Sequence, residues 1–255
     1  MTDQNCKAEQ FRALHIPGEP LVLFNIWDAG SAKAVATAGA KAIATGSWSV
    51  ANANNFADGE HMPLALAIDN LRRIVGATDL PVTIDLESGY GDTSEVVGET
   101  IGLAIDAGAA GCNLEDSFPA NGKLRETVDQ GDRIRRARQT ADAANIRFFI
   151  NARTDVFFQR PSGPHDDAMV VEAIERARAY AEAGADGLFA PGLTDITLIA
   201  RLVKASPLPL NIMVGDTTPA VRVLAEHGVA RVSYGPGPYL MAMKALEEAA
   251  RAANM

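Results

Sequence analysis

Pro81-Val82-Thr83-Ile84-Asp85-Leu86-Glu87-Ser88-Gly89-Tyr90-Gly91-Asp92 is the stretch on which the reading of this chain turns. Val82, Ile84 and Leu86 share one face of an extended strand, and Thr83, Asp85 and Glu87 share the other. The alternation thus projects two carboxylates from one face of a strand whose other face is greasy, and a glycine-rich turn follows at once. Paired carboxylates above such a turn suit a divalent cation better than a packed core.

Working outward, one pattern recurs along the chain: Ala38-Gly39-Ala40, Ala107-Gly108-Ala109, Ala183-Gly184-Ala185 and His227-Gly228-Val229. Each stands between an Ala-rich helical stretch and a short apolar run, where glycine suits the left-handed position that ends a helix. Eight strands follow: 21–26, 41–45, 81–87, 111–116, 147–153, 187–190, 208–214 and 230–234, with the clearest helices at 94–107, 168–183 and 219–227. Eight alternating units in 255 residues predict an α/β fold, a closed (βα)8 TIM barrel forming a single catalytic domain over 1–255. An open doubly wound sheet would carry a glycine-rich nucleotide turn after its first strand; here that turn is Trp27-Asp28-Ala29-Gly30-Ser31.

Composition narrows the partners. A formal charge of −9 disfavours nucleic acid and anionic membrane, which need a concentrated basic face. Two cysteines, Cys6 and Cys112, make no disulfide framework, and the segment Met1–Asn5 lacks the apolar core of a signal peptide. The expectation is a cytoplasmic protein.

In a barrel of this kind the chemistry sits at the C-terminal ends of the strands. Alternation places Asn113 and Glu115 inward on the fourth strand, Asn151 and Arg153 on the fifth, and Asn211 on the seventh, while Cys112 faces the helices as an inert thiol. With Asp85 and Glu87, the mouth gathers three acids and one arginine. An internal salt-bridge network is the plain alternative, but three acids against one guanidinium leave excess charge that is costly to desolvate. A hard ion held by carboxylates and waters resolves the imbalance, and magnesium is the natural candidate, with Mn2+ as its substitute. Arg153 would then grip a substrate carboxylate through a planar contact.

These residues carry a resemblance. Asp85–Gly91 resembles the metal-binding strand and turn of the isocitrate lyase/phosphoenolpyruvate mutase superfamily, Asn113–Asp116 its Glu-Asp strand end, and Asn151–Asp155 its Ala-Arg-Thr-Asp motif. Thr45–Ala51 is similar to the substrate loop after strand two, and Asp58-Gly59 to the acid beyond it. The resemblance implies a Mg2+-dependent lyase or decarboxylase that cleaves a C–C bond of a small 2-oxo (di)carboxylate such as oxaloacetate through enolpyruvate. By it, Asp85 holds the metal with Glu87 and Glu115, directly or through water, and Arg153 and Asp58 act in catalysis. Gly46, Ser47 and Trp48, through their backbone donors, bind substrate together with Arg153 and Asn211. It also implies a homo-oligomer, dimer or tetramer, in which C-terminal helices are exchanged; Leu240–Ala253 could supply that helix or close its own barrel.

Departures matter too. The loop Ser117–Glu126 lacks the cysteine and histidine of isocitrate-type lyases, Ala190 stands where the mutases carry histidine, and Glu87 replaces the usual aspartate. The longer polar stretch Ser117–Gly131 reads as a lid, with Lys123 or Arg125 as its contacts, and Arg160–His165 reads as a turn-rich insertion. None of the six lysines sits at an inward strand end, which argues against Schiff-base chemistry. C–P bond chemistry on phosphonopyruvate, and a non-catalytic barrel that keeps the oxo-acid site, stay open as rival readings.

Overall fold

The computed structural model describes residues 3–160 and 164–254, so the middle of the Arg160–His165 insertion lies outside the described residues. Eight parallel strands run β1 (Leu21–Leu23), β2 (Ile43–Ala44), β3 (Val82–Asp85), β4 (Gly111–Glu115), β5 (Phe149–Arg153), β6 (Gly187–Phe189), β7 (Leu210–Met213) and β8 (Arg231–Ser233). They hydrogen-bond in the order β1-β8-β7-β6-β5-β4-β3-β2, and a bridge between Ile26 and Thr45 joins the two ends. The ring is therefore a closed (βα)8 barrel, as the repeat predicts. No helix among the described residues is long and apolar enough to cross a membrane.

Among the described residues ten α-helices accompany the strands: α1 (Asp3–Ala13), α2 (Ala29–Thr37), α3 (Ser47–Ala53), α4 (Leu64–Val75), α5 (Ser94–Asp106), α6 (Thr127–Ala143), α7 (Asp167–Glu182), α8 (Ile196–Ala205), α9 (Val221–Glu226) and α10 (Gly237–Ala253). Their ends follow from local chemistry. Asp28, Thr93, Asp166 and Asp195 each accept a backbone N–H in the first turn of α2, α5, α7 and α8, satisfying donors that the helix itself leaves open. At the other ends Gly39, Gly108, Gly184 and Gly228 all have φ between 84° and 102°, a region in which any side chain is strained.

The barrel interior is polar in its middle and aromatic at its base. Asn151 donates to the side-chain oxygens of Asn113 and Asn211 at 2.9 and 3.1 Å, and Arg231 donates to Asn113 at 3.1 Å. Below this layer Phe149 meets Phe11 edge-on and stacks on His15 with ring centres 4.0 Å apart, so α1 and the turn after it plug the N-terminal mouth. Inward glycines make the room: a Cβ on Gly187 would stand 2.7 Å from the Asn151 side-chain oxygen and 3.1 Å from the Phe149 ring.

One helix leaves the ring. Pro238 is the buried residue of α10, whereas Leu240, Met241 and Leu246 are more than half exposed. The outer face of β1 is correspondingly bare. Val22 is 43 % exposed, at the floor of an apolar groove of about 830 Å³ walled by α2 and α9 and including Ile16, Phe24, Val35 and Val221.

The interior packing predicts that Gly187→Ala destabilises the protein by roughly 1–3 kcal/mol through overpacking against Asn151 and Phe149. Gly131→Ala, in α6 with nothing within 4 Å of the new methyl, should instead stabilise by about 0.5–1 kcal/mol. Urea unfolding of both variants is the check, and equal effects would contradict the packing described.

Candidate active site

β3 carries Asp85 to the open mouth. Its Oδ2 accepts hydrogen bonds from the Ser47 N–H at 3.2 Å and the Ser47 hydroxyl at 2.9 Å, while its own N–H donates to Thr45 Oγ1 at 2.9 Å. Oδ1 of Asp85 is buried and has no hydrogen-bond partner. A buried carboxylate oxygen left open is costly unless something cationic or protic meets it.

Glu87 reaches the same neighbourhood by another route than strand alternation. β3 ends at Asp85, and Glu87 itself lies in the left-handed region at φ 52°. Its carboxylate is fixed by the Glu60 N–H at 2.6 Å and approached by the Tyr90 hydroxyl at 3.4 Å. Ser47, Asp85, Glu87 and Tyr90 enclose a void of about 20 Å³, room for a single water. Burial, then the charges of Asp85 and Asp58, push the Glu87 carboxyl up to about 7.

β4 and β5 supply the cation and its partners. Arg153 Nη1 pairs with Glu115 at 2.8 Å, and its Nε and Nη2 hold Asp155 at 2.7 and 3.1 Å. The Ser117 hydroxyl ties Glu115 to Asp155. Burial, opposed by Arg153 and reinforced by Asp155 and Asp85, pushes the Glu115 carboxyl upward, while against its own burial Arg153 is held charged by Glu115 and Asp155. Asp58 is likewise raised, by burial and then by Asp85.

A cavity of about 190 Å³ opens between these strand ends and brings together Gly46, Ser47, Trp48, Asp58, Asp85 and Arg153. The geometry adds detail to four of the expected roles. Arg153 is not free, because the two adjacent carboxylates already share it. The Gly46 N–H donates to Ile26 O at 3.2 Å and the Ser47 N–H to Asp85, so neither amide waits for substrate. Asn211 is buried a layer beneath the cavity, donating to Ser233 Oγ at 3.0 Å. Glu115 acts on the cavity through Arg153 rather than lining it.

Whether the acids suit a metal can be judged from the donors. Among the described residues no three acidic, histidine or cysteine groups converge into a ready cage. A hard cation that keeps its waters needs no such cage: the open Oδ1 of Asp85 offers one direct ligand, and the surrounding acids can act through water. The donor set fits.

A family model described as phosphoenolpyruvate phosphomutase matches residues 11–254. The chain belongs to this family. A protein of Burkholderia cenocepacia J2315 whose crystal structure is described as that of a candidate phosphonomutase superposes with TM-score 0.96 at 58 % identity, over 98 % of this chain and 99 % of that one. An uncharacterized protein of Mycobacterium tuberculosis is 34 % identical over 96 % of this chain and 88 % of its own length. The 2-methylisocitrate lyase of Escherichia coli is 31 % identical over 82 % and 71 %, and an oxaloacetate decarboxylase of Chromohalobacter salexigens 29 % over 94 % and 83 %.

Within the phosphomutase family scaffold, sequence reasoning missed two groups. Asn25 closes the ring chemically, taking the N–H groups of Tyr234 and Gly235 at 2.9 and 3.0 Å and donating to Thr45 O at 2.9 Å. Phe158, Phe189, Pro191 and Met213 line the cavity, and as apolar residues on separate elements they carry no local signal.

The Glu87 shift sets a pH prediction for the metal-free protein. Its folded value, about 7, lies above the unfolded 4.5, so its contribution to stability is full below pH 4.5 and is lost as pH rises through 7. Glu87→Gln should therefore stabilise the metal-free protein by about 1–3 kcal/mol at pH 8 and make no difference at pH 4. Denaturant titrations at the two pH values check this, and a pH-independent difference would contradict it.

Proposed function

We propose that this protein is a Mg2+-dependent carbon–carbon lyase that cleaves a small 2-oxo acid to leave enolpyruvate, with decarboxylation of oxaloacetate as its simplest reaction. The observation that supports the reading is that Asp85, which carries a carboxylate oxygen without a hydrogen-bond partner, and Arg153 line one cavity. Asp85 would hold the ion directly, with Glu87 and Asp58 reached through its waters, while Glu115 holds Arg153 in place. Bound there, Mg2+ supplies Lewis-acid polarisation of the 2-oxo oxygen.

The chain's own residues do the rest. Arg153, held in place by Glu115 and Asp155, orients the substrate carboxylate with an N–H not used by those partners. Asp58, raised by burial and by Asp85, can keep a proton and pass it to C3 once the C3–C4 bond has broken and CO2 has left. Trp48 and Phe158 narrow the cavity against water. The rival C–P reading is supported less well, since a phosphonate carries more charge than a carboxylate and Arg153 is the one cation lining the cavity among the described residues.

The experiment is pyruvate release from oxaloacetate, scored above the metal-ion blank. EDTA-sensitive turnover that falls at least about 100-fold in Arg153→Ala agrees with the proposal; activity only with phosphonopyruvate, or none in the intact protein, would overturn it.

Assembly belongs to the same proposal. Exposed Leu240, Met241, Met243 and Leu246 on α10 complement the apolar groove over β1, which supports a homo-oligomer in which α10 of one copy covers the groove of another. Light scattering should show a dimer or larger, reduced to a monomer in the Met241→Glu, Leu246→Glu double variant. A wild-type monomer would contradict it.

A further inference from the structure

Besides the acids, Arg153 and Ser47, the cavity is lined by the amide and hydroxyl side chains of Asn25, Asn113 and Ser233. Two of these three are already committed. Asn25 Oδ1 accepts from the Tyr234 and Gly235 N–H groups and its Nδ2 donates to Thr45 O, and Ser233 Oγ accepts from Asn211 at 3.0 Å. Asn113 differs. Its Oδ1 accepts from Asn151 at 2.9 Å and from Arg231 at 3.1 Å, while its Nδ2 engages no group among the described residues.

Arg231 decides which way that amide faces. A guanidinium only donates, so the amide oxygen must point towards it and the NH2 group away. Arg231 is itself 1 % exposed, with its guanidinium carbon 5.9 Å from the centre of the Phe11 ring and its Nε and Nη1 without partners. A buried cation bonded to the oxygen of an amide polarises it and strengthens the N–H as a donor.

The place of Asn113 in the ring says what such a donor meets. It stands beside Asp85 on β3 and Asn151 on β5, one inward step below Glu115, which pairs with Arg153. A 2-oxo acid with its carboxylate at Arg153 and its 2-oxo oxygen towards Asp85 sets that oxygen above the amide. Resting on the lyase reading above, we propose that Asn113 is a catalytic residue whose Nδ2–H donates to the 2-oxo oxygen as it becomes an enolate, and that Arg231 is the positioning residue that aims it. As the C3–C4 bond breaks, its electron pair moves to C2–C3 and the oxygen takes up the negative charge. CO2 departs, and the amide keeps its proton throughout. The hydrogen bond is worth more to the anionic oxygen than to the neutral one, which is the differential binding that lowers a barrier.

Oxalate and pyruvate separate the two states, since oxalate presents an anionic oxygen where pyruvate has a neutral 2-oxo group. The test is calorimetric binding of both to the full chain with Mg2+ present. In the Asn113→Leu, Arg231→Met double variant both partners give way to apolar groups of similar size, which spares the fold. There oxalate should bind at least about tenfold more weakly and pyruvate less than about threefold, with kcat on oxaloacetate down about 100-fold. Arg231→Gln, whose carbonyl lets the Asn113 amide turn over, should weaken oxalate selectively; Arg231→Lys, still a pure donor, should keep most of its affinity. Equal weakening of both ligands, as a packing role or a contact to the substrate carboxylate would give, overturns the proposal, and so does unchanged oxalate binding. Either result leaves the lyase reading standing. Absence of Mg2+-dependent oxalate binding by the wild-type protein would remove that reading and this proposal together.

Discussion

Negative charge crowded into a poorly solvated mouth is the constraint around which this barrel is built. Asp85 projects into the opening with one oxygen unpaired, and its field helps lift the carboxyls of Asp58, Glu87 and Glu115. Against them stand Arg153 at the rim and Arg231 beneath. Arg231 is fully buried and donates to Asn113, and burial lowers it to about 9. An arrangement that served stability alone would match each acid with a partner or replace it by apolar side chains. The imbalance is useful only if a further cation enters, and it is held in place by a core that over-determines the strand ends.

The features legible in sequence were those fixed by local chemistry. Period-two alternation correctly sent Asn113, Glu115, Asn151, Arg153 and Asn211 inward and Cys112, now fully buried, outward, because neighbouring side chains on a strand must face opposite ways. Glycine after an Ala-rich helix correctly marked four helix ends. What failed depended on height along the barrel or on partners distant in the chain. Alternation says which way Asn211 points but not that it lies below the cavity. It says nothing of the left-handed turn at Glu87, which replaces the last step of the strand, nor of Asp155, which claims the side of Arg153. The departure of α10 is a tertiary fact, since its apolar face would serve equally well against its own barrel.

The loop after β4 joins these themes. Sequence reads it as a long polar lid, yet it is tied down: Ser117 bridges to Leu124, Gln159 donates to Gly122 O at 2.9 Å, and the Arg125 guanidinium lies 4.0 Å from the centre of the Phe118 ring while pairing with Asp92. Arg125 is buried rather than poised for substrate, and its N–H donates to the backbone oxygen of Asp116. Asp116 in turn accepts from Tyr180 and Arg176 on α7. The loop is thus anchored to the scaffold that positions Glu115 and Arg153, which relates its ordering to theirs.

Direct titration with Mn2+, followed by electron paramagnetic resonance, probes the central claim without relying on turnover. The account predicts one tight Mn2+ per chain, a spectrum that changes when oxalate is added, and loss of that binding in Asp85→Asn. Equal Mn2+ binding by the wild-type and Asp85→Asn proteins would contradict it, because the acids of the mouth would then have some purpose other than holding a cation.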